Sequence, residues 1–131
     1  MTDLNDLKYT REHEWVRIDS STGGAIVVTV GITDYAAEQL GDVVFVDLPA
    51  DNAEVTAGQV MGEIESTKSV SELYSPVDGT VIDLNGEVDS DPSLVNSSPF
   101  EGGWLVQIEL TGPLPELLDR AAYLELTGGE A

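Results

Sequence analysis

A chain of 131 residues with a formal charge of −20, from 25 acids against 5 bases, has room for one sizeable core. Nucleic acid and anionic membranes are poor partners for it, because both need a positive surface. It has no cysteine, which excludes disulfides, thiolate nucleophiles and cysteine metal sites.

With 41% apolar residues the chain can fill its core and bury roughly two-thirds of the surface exposed on unfolding. The first six residues, Met1 to Asp6, carry acid where a secretory signal needs base, and no apolar run approaches the length of a membrane span. A bacterial cytoplasmic location is therefore expected, or the mitochondrial matrix for a processed eukaryotic form. The acidity fits two purposes equally: solubility in salty surroundings, or steering toward basic faces of partner proteins.

Turn residues punctuate the chain at 20–24, 41–42, 49–52, 58, 76–79, 85–86 and 102–103. Between them lie short β-prone runs at 15–18, 25–30, 43–48, 60–64, 80–84 and 104–110. Many short strands at this spacing predict a sandwich or barrel rather than alternating βαβ units. Helix is confined to three places. Residues 33–40 open on a capping threonine and end at Gly41. Residues 91–95 read as a single turn with Asp91 as N-cap and Pro92 at the first helical position. A C-terminal helix is expected over about 115–127, with Leu117, Leu118, Ala121 and Leu124 at helical spacing and Gly128 at its close. The similar pairs 49–52 with 76–79 and 58–61 with 79–82 fit two similar half-sheets facing one another.

Most enzyme chemistry fails at once. One histidine, His13, cannot make a two-histidine metal site. No Gly-x-Ser-x-Gly elbow, phosphate loop or dinucleotide fingerprint occurs. Asp89-Ser90-Asp91-Pro92-Ser93-Leu94 begins like a calcium loop, but Leu94 stands where that loop needs glycine. No catalytic residue and no metal site are expected.

The chain has two lysines, Lys8 and Lys68. Before Lys68, Val60, Gly62 and Ile64 alternate with Met61, Glu63 and Glu65; after it, Leu73, Ser75 and Val77 fall on one face. This is a hairpin pattern with a small polar tip, and the lysine sits at or beside the tip. Its amine projects on a four-carbon stem, flanked by Thr67 and Ser69, which are too small to shield it. An enzyme could acylate it without unfolding anything. Alone, a turn lysine is most simply a solvated charge, so its setting carries the case.

That setting resembles the modification hairpin of lipoyl carriers, and more closely the glycine cleavage H-protein family. Tyr9 to Trp15, ending His13-Glu14-Trp15, resembles the family's opening strand. Gly31 to Ala36 followed by Leu40 to Pro49 is similar to its helix and next strand. Glu65-Ser66-Thr67-Lys68-Ser69 with Ser75 to Gly79 is similar to the hairpin and its exit turn. Leu94 to Phe100 and Gly103-Trp104-Leu105 resemble the late loop and last strand.

The resemblance implies a mainly β barrel-sandwich hybrid of two antiparallel sheets with short helices and a C-terminal helix. It implies one lipoyl-carrier domain over 1–131, with the hairpin core at about 25–110. Lipoate would be joined by an amide to Lys68, on a turn flanked by Glu65, Ser66, Thr67 and Ser69. Glu14, Gln39 and Glu72 match the positions of a surface cleft in which the loaded arm folds back. An acid at Glu14 or Glu72 could pair with the cationic aminomethyl amine. Gln39 stands where some relatives carry histidine, and Glu72 where they carry a shorter aspartate. The implied partners are glycine decarboxylase (P-protein), an aminomethyltransferase (T-protein), dihydrolipoamide dehydrogenase (L-protein) and lipoate-attaching enzymes, with the carrier itself a monomer. Biotin carriers use a similar hairpin but place methionines where Thr67 and Ser69 stand. A lipoyl domain of a 2-oxoacid dehydrogenase would be shorter and followed by a Pro/Ala-rich linker. An unmodified interaction module, or a relay of lipoyl groups to other carriers, is the remaining alternative.

Overall fold

The structure, a computed structural model, describes residues 4–20 and 26–128. Residues 21–25, which hold most of the turn expected at 20–24 and the first residue of the run expected at 25–30, lie outside the described residues. Two antiparallel sheets form the body. The larger has the spatial order β1 (Lys8–Tyr9), β2 (Glu14–Ser20), β3 (Val27–Ile32), β9 (Val106–Leu110), β8 (Gly79–Leu84) and β5 (Glu54–Val55). The smaller has β6 (Val60–Ser66) between β4 (Val43–Asp47) and β7 (Val70–Tyr74). These strands are rich in valine and isoleucine, whose branched side chains suit a pleated surface.

The main core lies between the sheets. Val28, Val30, Val106 and Ile108 from one meet Val46, Ile64 and Leu73 from the other, and none is more than 3% exposed. Each such side chain contributes about 1.5–3 kcal/mol through the surface it removes from water. A second cluster of Leu7, Tyr9, Trp15 and Tyr123 covers the start of β1 and β2. Trp15 fits there because Gly31, its cross-strand partner, leaves room for the indole: a Cβ on Gly31 would stand 2.6 Å from the ring. The indole N–H donates to the Pro99 carbonyl at 2.8 Å.

The helix expected at 33–40 is α1 (Asp34–Leu40). Thr33 Oγ1 accepts the Ala36 N–H, and Gly41, at φ +83°, closes the helix by donating to the Ala37 carbonyl. Elsewhere the local readings shift. In place of one turn at 91–95 there are two short helices, α2 (Gly86–Ser90) and α3 (Leu94–Ser97). Asp91 closes α2 rather than opening a helix, with its N–H donating to the Glu87 carbonyl at 2.8 Å. Asn85, expected only as a turn residue, caps α2 by accepting the Glu87 N–H at 3.0 Å.

The C-terminal helix, α4 (Arg120–Leu126), begins at Arg120 and not at Pro115. Residues 115–119 are spent otherwise. Leu118 pairs with Tyr9 through two 2.8 Å backbone bonds, which covers the edge of β1. Asp119 then caps α4 by accepting the Ala122 N–H. The family-like opening strand is also two pieces, since β1 and β2 reverse through residues 10–13, with His13 at φ +67°. The similar pairs at 49–52 and 76–79 do not mark half-sheets, because β5 and β8 pair in one sheet of six.

Candidate functional site

A serine at each end makes the β6–β7 connection tight. The Ser66 N–H donates to the Ser69 carbonyl at 2.8 Å, and Ser66 Oγ accepts the N–H groups of Ser69 and Lys68 at 3.0 and 3.3 Å. A hydroxyl satisfying nearby backbone in this way stabilises turns over continued strand. Lys68 stands on this turn and is exposed, whereas Lys8 is half-buried on β1, paired with Val16. Leu73, Ser75 and Val77 are buried on leaving the turn, as their spacing predicts. Val60 is not: a register irregularity between Val60 and Gly62 turns it outward, 47% exposed. Glu65, flanking the turn, pairs with Phe45 on one side and Val70 on the other.

A cavity of about 450 Å³ opens beside the turn, walled by the start of β2, by α1 and by β7. Glu14, Gln39 and Glu72 all line it, and so does Ser69, next to the lysine. The floor is apolar, with Ile32, Leu40 and Ile64. Gln39 and Glu72 are exposed at the rim, and Glu72 Oε1 accepts the Tyr74 hydroxyl at 3.2 Å.

Glu14 is different, being 1% exposed. Its Oε1 accepts the Thr10 hydroxyl at 3.1 Å and its Oε2 accepts the Tyr74 N–H at 2.8 Å, so one carboxyl joins β2 to the lysine hairpin. Burial pushes the carboxyl up to about 8, against these two hydrogen bonds, which favour the charged form. A neutral acid at neutral pH can give up its proton when a cation arrives.

Sequence reasoning missed His13 and Tyr35, which wall the cavity beside Glu14 and whose rings lie 4.9 Å apart. His13 Nδ1 is 2.9 Å from the Tyr123 hydroxyl, which is 2.7 Å from Thr33 Oγ1. Burial lowers the His13 pKa, opposed by the nearby Glu12 charge. The signal for His13 was its place as the only histidine, adjacent to Glu14; Tyr35 and Tyr123 gave none. Also unforeseen was Asn96 on α3. Its side-chain amide donates to the Gly41 carbonyl at 2.9 Å and accepts the Val43 N–H at 2.8 Å.

A lipoyl group can be tested against this geometry. It needs an unshielded amine on a firm turn and a nearby recess with an apolar floor. Lys68 and the cavity supply both, and the cavity falls within the roughly 300–1,000 Å³ usual for small-ligand sites. Among the described residues no group of three carboxylate or histidine side chains is arranged to hold a metal ion.

The family model described as glycine cleavage H-protein matches residues 7–128. The chain belongs to the glycine cleavage H-protein family. A glycine cleavage system H protein of Clavibacter sepedonicus is 56% identical over 128 residues, covering 98% of this chain and 99% of the relative. One of Staphylococcus saprophyticus is 45% identical over 126 residues, covering 95% and 96%. The crystal structure of a glycine cleavage system H protein from Mycobacterium marinum superposes with a TM-score of 0.86 at 39% identity, covering 95% of this chain and 98% of the other. The two sheets and the short helices are thus an H-protein architecture, and a carrier role in glycine cleavage goes with that membership.

Proposed function

We propose that this H-protein family member carries lipoate on Lys68 and that the whole chain, 1–131, works as one carrier domain of the glycine cleavage system. The observation that carries the reading is one of placement. An exposed lysine stands on a four-residue turn, next to a serine that lines a cavity. In attachment, the Lys68 amine attacks the activated carboxyl carbon of lipoate; an amide bond forms, the activating group leaves, and the amine's surplus protons pass to solvent. When bound, the lipoyl group would supply a redox-active disulfide suited to carrying an aminomethyl group among glycine decarboxylase (P-protein), the aminomethyltransferase (T-protein) and dihydrolipoamide dehydrogenase (L-protein).

The chain's own part is to hold and shelter. Lys68 sets the anchor point, from which an arm of about ten bonds reaches roughly 12–14 Å. Tethering raises the arm's effective concentration at each docked partner. Glu14 gives the cargo's amine a carboxylate partner, Glu72 adds a second charge at the rim, and Gln39 offers an amide. The apolar floor of the cavity limits water there. Catalytic groups come from the partners, and with bacterial relatives for comparison the place of action is the cytoplasm.

Intact mass and peptide mapping of protein from a lipoate-sufficient host test the attachment. Lys68→Arg keeps charge and fold and abolishes lipoylation; Lys8→Arg leaves it unchanged. Lipoylation that persists in Lys68→Arg would falsify the assignment. Glycine–bicarbonate exchange with purified decarboxylase then tests the role. Full lipoylation without exchange would leave a lipoyl-relay protein in its place.

A further inference from the structure

Asn96 has no place in the scheme above, yet its side chain is committed at both ends to the backbone that supports the lysine turn. Its Nδ2 donates to the Gly41 carbonyl at 2.9 Å and its Oδ1 accepts the Val43 N–H at 2.8 Å. The amide of Asn96 therefore bridges the residues on either side of Asp42, where the chain bends between α1 and β4. The Asp42 carbonyl in turn accepts the Thr67 N–H at 3.0 Å. Thr67 directly precedes Lys68. Gly41 completes the support from below: a Cβ there would stand 3.2 Å from Lys68 Cε, so the aliphatic stem of the lysine runs over this glycine. Its φ of +83° also suits glycine and little else.

We infer that Asn96 is a positioning residue for the modification of Lys68. It fixes the Gly41–Val43 segment, which holds the turn through Asp42 and gives the lysine stem a surface to lie on. The inference rests on the reading of Lys68 as the lipoyl site. Removing the amide leaves a carbonyl and an N–H without their partner and lets 41–43 shift. A displacement of about 1 Å in a reacting group can cost up to about a hundredfold in rate.

The experiment uses the full chain in its unlipoylated form, with a bacterial lipoate ligase, lipoic acid and ATP. Progress is read by intact mass, alongside backbone amide exchange followed by NMR. In Asn96→Ala, kcat/KM for lipoylation falls about tenfold at a temperature well below its Tm. The Thr67 amide exchanges faster, while the amides of β3 and β9 keep wild-type protection. A purely structural role would instead lower protection throughout and slow lipoylation only in proportion to the unfolded fraction. Asn96→Asp, which keeps the acceptor for Val43 but sets an oxygen against the Gly41 carbonyl, gives the same pattern and serves should the alanine variant unfold. Lipoylation of both variants at the wild-type rate, or an unchanged Thr67 amide, overturns the positioning role alone. A wild-type chain that takes no lipoyl group at Lys68 overturns the underlying reading as well.

Discussion

Burying a carboxyl strips its charged form of hydration, and Glu14 meets that cost by keeping its proton up to about pH 8. The consequence for stability has a definite sign. Below the ordinary carboxylate value of 4.5 the group is protonated whether the chain is folded or not. Between there and about 8 the folded state holds a proton that the unfolded state has lost, so stability falls as pH rises, by a few kcal/mol at most. His13, whose pKa burial lowers, works the other way in this window, so urea denaturation from pH 5 to 8 should give a wild-type profile that tilts downward relative to that of Glu14→Gln, whose amide stays neutral. Equal slopes would remove Glu14 as the cause. Under the proposed function the same residue shelters cargo, since a cation entering the cavity favours the carboxylate and makes a charge-assisted bond of roughly 1.5–3 kcal/mol. The loaded carrier should therefore lose its carbon to water as formaldehyde about ten times faster in Glu14→Ala, a difference near 1.4 kcal/mol. Cargo held as long by the variant as by the wild type would take Glu14 out of that role.

At the scale of elements, α4 is fastened to the cavity wall by one phenol. Burial raises the Tyr123 hydroxyl to about 12, so it stays protonated at neutral pH. His13 Nδ1 and Thr33 Oγ1, the latter on the α1 cap, both lie within hydrogen-bond reach of that hydroxyl, at 2.9 and 2.7 Å. Tyr123→Phe should lower unfolding free energy by about 1–3 kcal/mol and shift the His13 ring resonances; a variant as stable as the wild type would show that α4 holds by its other contacts, Arg120 against Tyr9 among them. The tyrosine was not legible as a fastener, because its partners lie 90 and 110 residues away. What was legible is local. The lysine hairpin declared itself through alternation and a Ser/Thr/Ser tip, and α1 through Thr33 and Gly41, since those signals act within a few residues. The start of α4 was misplaced because pairing of Leu118 with Tyr9 outweighed a helical leucine spacing. Val60 was misassigned because a bulge breaks the period of two. Glu14, Gln39 and Glu72 came only through family resemblance, since their meeting depends on how β2, α1 and β7 converge when the sheets stack.

The charge of −20 belongs to the whole molecule, and its two explanations respond differently to salt. Register sharpens the question. Asp47, Glu63 and Glu72 stand directly opposite one another across β4, β6 and β7, three acids in one row. Like charges so placed cost up to about 1 kcal/mol per pair, which a sheet built only for stability would avoid. Screening over about 10 Å at 0.1 M salt should therefore stabilise the fold on either explanation, so Tm against salt does not separate them. Encounter with a partner does. If the row steers the carrier toward basic faces, raising KCl from about 0.05 to 0.5 M should lower the decarboxylase kcat/KM for the lipoylated carrier roughly tenfold and leave kcat unchanged, because steering acts before docking. Glu63→Gln should be more stable than the wild type and show a shallower salt slope, since it removes the middle charge of the row. Should kcat/KM hold steady with added KCl, the acidity belongs to solubility, and the row is a cost carried for that alone.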